Sequence, residues 1–273
     1  MKRKREMEKK TEIKSAIQEL SLLIKLIRRA TLNNNNNNNI VMAVSSPAAT
    51  DADAGVAAAG AGAVVATADA GVADVVTADR IQQEWVVSYI PTRPFLSICT
   101  LIIQVLDKIG PTMAVMRQDI YKNVQRLEML CDSDPTTYSN LVEILNKEAV
   151  ERCAKKGDSC SKALLWLTRT LDFTAALLQK LIAEPRESME QIVANSYETT
   201  LKPWHGWISA SAYKVALKLV PETDTLILLL MDKGDNIDSF KDDIQAFISS
   251  LLPLLEDLHS TLSSYRLEKL KST

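Results

Sequence analysis

The sequence of 273 residues predicts an all-α protein. Three observations lead there. Apolar residues recur at helical spacing in one stretch after another, as at Ile13, Ile17, Leu20, Ile24 and Ile27. No stretch alternates apolar and polar residues in the manner of a half-buried strand. Breakers such as Gly110-Pro111 and Pro185 fall between the periodic stretches, where helices end.

Taken in order, residues 8–30 read as an amphipathic helix carrying the apolar stripe just named. Residues 31–80 read as a disordered loop insertion. Asn33 to Asn39 is a homopolymeric tract, Ser45-Ser-Pro47 follows, and an Ala/Gly/Asp-rich run without an aromatic side chain completes it. Such a composition buries too little apolar surface to offset the entropy of ordering. Gly55, Gly60, Gly62 and Gly71 interrupt its helix-favouring alanines. A long insertion is tolerated because loop-closure entropy grows slowly with length.

Pro91 and Pro94 mark the start of the main domain, residues 91–270. Phe95 to Ile109 is almost continuously apolar, as a helix buried on most sides would be, and Gly110-Pro111 breaks it. Met113 to Cys131 is the next helix. Tyr138 to Glu151 is amphipathic through Leu141, Ile144 and Leu145, and Lys155 to Ser159 is a loop. Lys162 to Ile182 forms a long helix ending near Pro185. Ser188–Leu201, Ile208–Leu219, Thr225–Met231 and Phe240–Tyr265 complete the series, with Pro253 expected to bend the last.

Charge and composition narrow the function. The net charge of −2 hides an asymmetry: residues 1–30 carry ten Lys/Arg against four Glu, residues 31–79 carry five Asp and no base, and the remainder is −3. A nucleic-acid-binding domain would show a basic stripe, so nucleic acid is not an expected partner. Cys99, Cys131, Cys153 and Cys160 form no Cys-x-x-Cys pair and have no neighbouring histidine, which argues against zinc. Free thiols in a reducing cytosol are the expectation, since the basic N-terminus leads into an amphipathic helix rather than a secretory core. The Ala/Gly run from Ala54 to Ala68 is too short and weakly apolar to span a bilayer. The Lys/Arg cluster at residues 2–5 reads as solvated, with a nuclear address or membrane-surface contact as alternatives.

Asp119, Asn123 and Arg126 fall at i, i+4 and i+7, and so share one helix face; Lys162, Trp166 and Arg169 repeat that spacing on another helix. Lys202-Pro-Trp-His-Gly-Trp207 holds one of only two histidines. Carboxylate, amide, cations, a flat aromatic and an imidazole on long apolar helices suit a polar head group with an apolar tail, which is to say a lipid. Each residue also has an ordinary reading. Asp119 could be a surface acid bonded to Lys122 or Arg126, Trp166 a core residue, and His205 a satisfied histidine. His259 lies in a late amphipathic helix and reads as structural.

The order Asp119-x3-Asn123-x2-Arg126, then Leu164-Leu-Trp-Leu-x-Arg169, then His205-Gly-Trp207, resembles the glycolipid transfer protein family, all-helical carriers of single sphingolipids. The resemblance runs from about Pro91 to the C-terminus. It implies a single-domain, two-layer helical sandwich without cofactor, metal or enzymatic activity, making transient contact with membranes from the cytosol. By that resemblance Asp119 accepts hydrogen bonds from the ceramide amide N–H and the head group, and His205 donates to the amide carbonyl. Asn123 and Arg126 reach the head group, Trp166 is the platform for a sugar, and Trp204 and Trp207 lie near the membrane-contacting rim. In the ceramide-1-phosphate carriers arginine takes the place of Trp166, with a second arginine one turn earlier, where this chain has Lys162. Trp166 and Asn123 therefore favour a sugar. Overall likeness, including the extended N-terminal helix, leans towards the plant cell-death-regulating branch that binds ceramide-1-phosphate, and the head group stays open at this point. Two rivals accompany the carrier reading. An acid–base enzyme using Asp119 and His205 lacks any Gly-x-Ser-x-Gly nucleophile motif. A sphingolipid sensor that regulates cell death without bulk transfer has the same residues, because they encode affinity rather than rate.

Overall fold

The computed structural model describes residues 12–44, 89–184, 186–231 and 234–272. Nine α-helices occur among them: α1 Glu12–Val44, α2 Thr92–Ile109, α3 Ala114–Ser133, α4 Leu141–Val150, α5 Cys160–Ala183, α6 Met189–Thr200, α7 Trp207–Leu217, α8 Thr223–Leu230 and α9 Ile237–Ser264. No strand occurs among the described residues, only an isolated bridge between Pro91 and Asn140. The chain divides into two units, residues 1–31 with 88–273, and residues 32–87. Of the second, only residues 32–44, the end of α1, are described.

The first unit is the predicted two-layer helical sandwich, and its central member is α5, which packs against α3, α4, α6 and α9. Leu164, Leu165, Leu167 and Leu171 of α5 are essentially inaccessible and meet Phe95 of α2, Leu127 of α3, Ile144 of α4 and Leu258 of α9 in one continuous core. Each such side chain removed from water contributes on the order of 1.5–3 kcal/mol. Within this unit Ile13, Ala16, Leu20, Leu23 and Ile27 of α1 are buried in the same core, the stripe read from the sequence.

Local chemistry sets the helix ends. Asn140, Ser159, Ser188 and Asn236 cap α4, α5, α6 and α9 with their side-chain oxygens. Asn140 also accepts from the backbone N–H of Ile90 at 3.0 Å, tying the start of the domain to α4. Gly110, at φ 113°, ends α2 in a conformation open to glycine and admits a 3-10 turn, Pro111–Met113. The buried carboxylate of Glu148 receives the N–H groups of Cys160 and Ser161, both at 2.7 Å, completing the N-terminus of α5.

One expectation changes in extent. The first helix was expected over 8–30 but runs from Glu12 to Val44, because no glycine or proline occurs before Pro47 and asparagine is only mildly unfavourable in a helix. The rest of the 31–80 insertion, and residues 2–5 and 8–11, lie outside the described residues. Helix α9 passes through Pro253, whose ring faces solvent. No helix among the described residues is long and apolar enough to cross a membrane.

Candidate functional site

The site begins with the register of α3. Its core stripe is Ile120, Val124, Leu127 and Cys131. Asp119, Asn123 and Arg126 each precede one of these, so they sit about 100° round the helix, on the flank of the buried stripe. Asp119 is accessible, and Asn123 and Arg126 are half-buried. Asn123 donates from Nδ2 to the backbone carbonyl of Asp119 at 3.1 Å, leaving its own side-chain carbonyl open. Among the described residues no side chain hydrogen-bonds or ion-pairs with the Asp119 carboxylate. The surrounding protein raises its pKa by desolvation, which Lys122 and Arg126 partly counter.

On α5 the corresponding flank holds Lys162, Trp166 and Thr170, half-buried, while the residues between them are buried. Cys160 Sγ lies 3.7 Å from the carbonyl oxygen of Arg126, and Met116 and Ile120 share a pocket with Thr170 and Phe173, so α5 runs antiparallel to α3. Beyond the polar residues both helices line one apolar pocket, through Met116 and Ile120 of α3 and Thr170 and Phe173 of α5. This pocket holds about 1070 Å³ of space not filled by atoms, part of it open to solvent, and α1, α2, α6, α8 and α9 complete its walls. Asp119 and Asn123 therefore lie within a turn of its lining on α3, and Trp166 one turn from it on α5.

His205 follows a 3-10 turn, Lys202–Trp204, and its N–H donates to the Leu201 carbonyl at 3.1 Å. Its ring lies 5.6 Å from that of Trp166 and 5.4 Å from that of Tyr197. Tyr197 Oη is 3.2 Å from His205 Nδ1, and the Tyr197 ring is stacked on Tyr213 at 3.4 Å. Burial and the Arg169 charge push the imidazole pKa down, so it is neutral at pH 7. The tyrosine hydroxyl can donate to Nδ1 in the tautomer that carries the proton on Nε2, and in that tautomer the imidazole can donate outward.

Arg169 is the largest fully buried side chain among the described residues. Its Nη1 donates to the Leu270 carbonyl at 2.8 Å and its Nη2 to that of Glu268 at 2.6 Å. The guanidinium carbon lies 4.9 Å from the ring of Trp166 and 4.2 Å from that of Trp204. Burial pulls its pKa down to about 10, against the charges of Glu268 and Asp172.

The structure thus groups Asp119, Asn123 and Arg126 on one flank, Lys162 and Trp166 on the facing helix, and His205 against Trp166. Trp204 and Trp207, paired by the sequence reading, part company. Trp204 is half-buried against Arg169, whereas Trp207 is 78% exposed beside Ile208 at the start of α7, a helix with no buried residue. Tyr197 and the Arg169 clamp were missed. Arg169 was visible as a cation at i+3 from Trp166, but nothing local announced that Tyr197 meets His205 across a helix end. His259 is bonded to Asp172 and Glu268 at 3.0 Å each. No group of three or more His, Cys, Asp or Glu side chains is arranged to hold a metal among the described residues.

Comparison with known proteins bears on this arrangement. The sequence profile of the glycolipid transfer protein family matches residues 90–232. Glycolipid transfer protein 3 of Arabidopsis thaliana is 56% identical over 183 residues, which are 67% of this chain and 78% of that one. Glycolipid transfer protein 1 of the same plant is 37% identical over 67% of this chain and 88% of its own. Among solved structures, that of FAPP2, described as selecting simple glycosphingolipids with the GLTP-fold, superposes with a TM-score of 0.63 at 24% identity over 69% of this chain and 92% of that one. A variant of Arabidopsis ACD11 (accelerated-cell-death 11) complexed with C12 ceramide-1-phosphate gives a TM-score of 0.60 at 22% identity, over 67% and 88% of the two chains. At these identities the structural matches establish the shared fold.

Proposed function

The chain belongs to the glycolipid transfer protein family, whose members are lipid transfer proteins rather than enzymes, and we propose that it carries a sphingolipid with a glycosyl head group between membranes. One observation carries this reading: polar side chains to which no side chain among the described residues hydrogen-bonds stand on the flanks of α3 and α5, at the edge of an apolar pocket shared by the same two helices. A lipid supplies what each part lacks. Its chains replace empty space among Ile, Leu, Val and Phe side chains, and its head group supplies partners for Asp119, Asn123, Arg126 and Lys162.

The roles follow from chemistry. The open Asp119 carboxylate accepts from the ceramide amide N–H and a sugar hydroxyl. Neutral His205 donates from Nε2 to the amide carbonyl, so an acid and an imidazole read the two ends of one amide. Asn123 offers an acceptor and Arg126 a donor fork to further hydroxyls. Trp166, half-buried beside His205, is the stacking surface for the first sugar. Moving a chain from bilayer to water costs about 0.8 kcal/mol per CH₂. An apolar pocket spares most of that, so transfer needs no nucleotide. Trp207 and Ile208, exposed at the start of α7, are the residues we assign to contact with the bilayer surface.

A sugar is favoured over a phosphate by Trp166 and Asn123 and by relatives named for glycolipids. Lys162, with Arg126 nearby, keeps phosphate chemistry in view as the alternative outcome. The test is fluorescence-monitored transfer between vesicles, comparing galactosyl- or glucosylceramide with ceramide-1-phosphate for wild type and Trp166→Arg. Wild type should move the glycosylceramide, and Trp166→Arg should lose that activity. Movement of ceramide-1-phosphate alone would reassign the site to Lys162 and Arg126. Binding of either lipid at one per protein without repeated transfer would make the protein a sensor.

A further inference from the structure

We propose that Arg169 is a positioning residue that fastens the C-terminal segment 267–272 beneath the head-group face and thereby fixes Trp166 and His205. The inference rests on the reading of those two residues given under Proposed function. The segment is held at three places. Arg169 clamps the carbonyls of Glu268 and Leu270. His259, itself bonded to Asp172 of α5, holds the Glu268 side chain. Ser272 closes on the histidine loop: its N–H donates to the Trp204 carbonyl at 2.9 Å, and its hydroxyl accepts from the Gly206 N–H at 2.8 Å and from the Ser209 hydroxyl at 3.0 Å. The two residues flanking His205 are therefore bonded to Ser272, two residues beyond a carbonyl that Arg169 holds.

The same guanidinium touches both indoles of the neighbourhood. One arginine thus couples α5, the 3-10 turn before His205 and the C-terminal segment. A lysine could not do this, because a single ammonium cannot present the planar fork that reaches two carbonyls while lying against two rings. The Arg169 Nε has no acceptor among the described residues. That unsatisfied buried donor costs stability, whereas both Nη groups are satisfied by carbonyls of the C-terminal segment.

The experiment uses the full chain and has a part independent of lipid. Amide hydrogen exchange is followed in lipid-free wild type, Arg169→Lys and Ser272→Ala, together with the transfer preference for galactosylceramide over ceramide. Arg169→Lys should keep the slow amides of α3 and α5, speed exchange at Gly206 and Ser272 at least tenfold, and lower the preference at least fivefold. A purely structural loss would depress both lipids alike and leave the ratio unchanged. Unchanged exchange at Gly206 in a folded Arg169→Lys protein overturns the proposal. If that variant does not fold, Ser272→Ala decides on the transfer preference, since it removes the Gly206 acceptor outright: a lowered preference supports the fastening, and a wild-type preference overturns it. Faster exchange with an intact preference overturns the link to the head group. Trp166→Ala then separates the two readings, since a preference that survives it means that the head-group site itself was misassigned.

Discussion

The rings of Trp166 and His205 lie 5.6 Å apart at an interplanar angle of 39°, although one residue belongs to α5 and the other to the loop before α7. That juxtaposition puts two aromatic rings of the candidate site on neighbouring elements. Burial, with the charge of Arg169 against the Trp166 ring adding to it, pushes the His205 pKa below its ordinary value.

Asp119→Val should abolish transfer and leave the fold intact. Loss of a pair of charge-assisted hydrogen bonds, at about 1.5–3 kcal/mol each, corresponds to on the order of 100- to 10,000-fold in affinity. Desolvation raises the Asp119 pKa, so the ionised acid costs the fold some stability at neutral pH, and its removal should leave Tm unchanged or slightly higher. Normal transfer by a folded variant would remove Asp119 from the site.

Ile102 of α2 is half-buried and lines the apolar pocket. Ile102→Trp should fill part of that space. Transfer of a sphingolipid with a long acyl chain should fall roughly 10-fold, the effect of a few methylenes losing their place, while an eight-carbon analogue is less affected. Equal loss for both chains would mean that this pocket does not house them.

His259 is raised to about 10 by its hydrogen bonds to Asp172 and Glu268. Its folded value exceeds the unfolded value near 6.5, so its stabilisation is complete below pH 6.5 and disappears as pH climbs to about 10. The ring is partly exposed, so solvent screens the pair. His259→Asn should lower Tm by about 2–5 °C at pH 6 and by little at pH 10. Thermal scans across that range check it, and a constant difference up to pH 10 would contradict the assignment.

Glu148→Ala should be a pure stability lesion. It strips the buried N–H groups of Cys160 and Ser161 of their acceptor, which costs on the order of 2–3 kcal/mol and lowers Tm by about 5–10 °C. Lipid selectivity of the folded fraction should not change. Differential scanning calorimetry and the galactosylceramide-to-ceramide-1-phosphate ratio measure the two halves of this expectation.

What the sequence by itself determined was local or periodic. Apolar spacing located the helices from α2 to α9 within a few residues, because burial of one face is written into each helix's own repeat. The i, i+4, i+7 pattern likewise put Asp119, Asn123 and Arg126 on one face. The first helix was the exception: its polyasparagine continuation has no periodic apolar stripe to read, so only the absence of a breaker before Pro47 could have signalled the helix to Val44.

Only tertiary structure decided which elements meet. The antiparallel set of α3 and α5, the hydroxyl of Tyr197 on His205, and the hold of Arg169 on Glu268 and Leu270 join residues far apart in the chain. It also decided that Trp204 packs while Trp207 faces solvent. Two tryptophans three residues apart in one motif are equivalent by composition. They differ because the 3-10 turn before His205 turns one ring onto a buried guanidinium, and the helix that follows leaves the other without a protein surface to cover it.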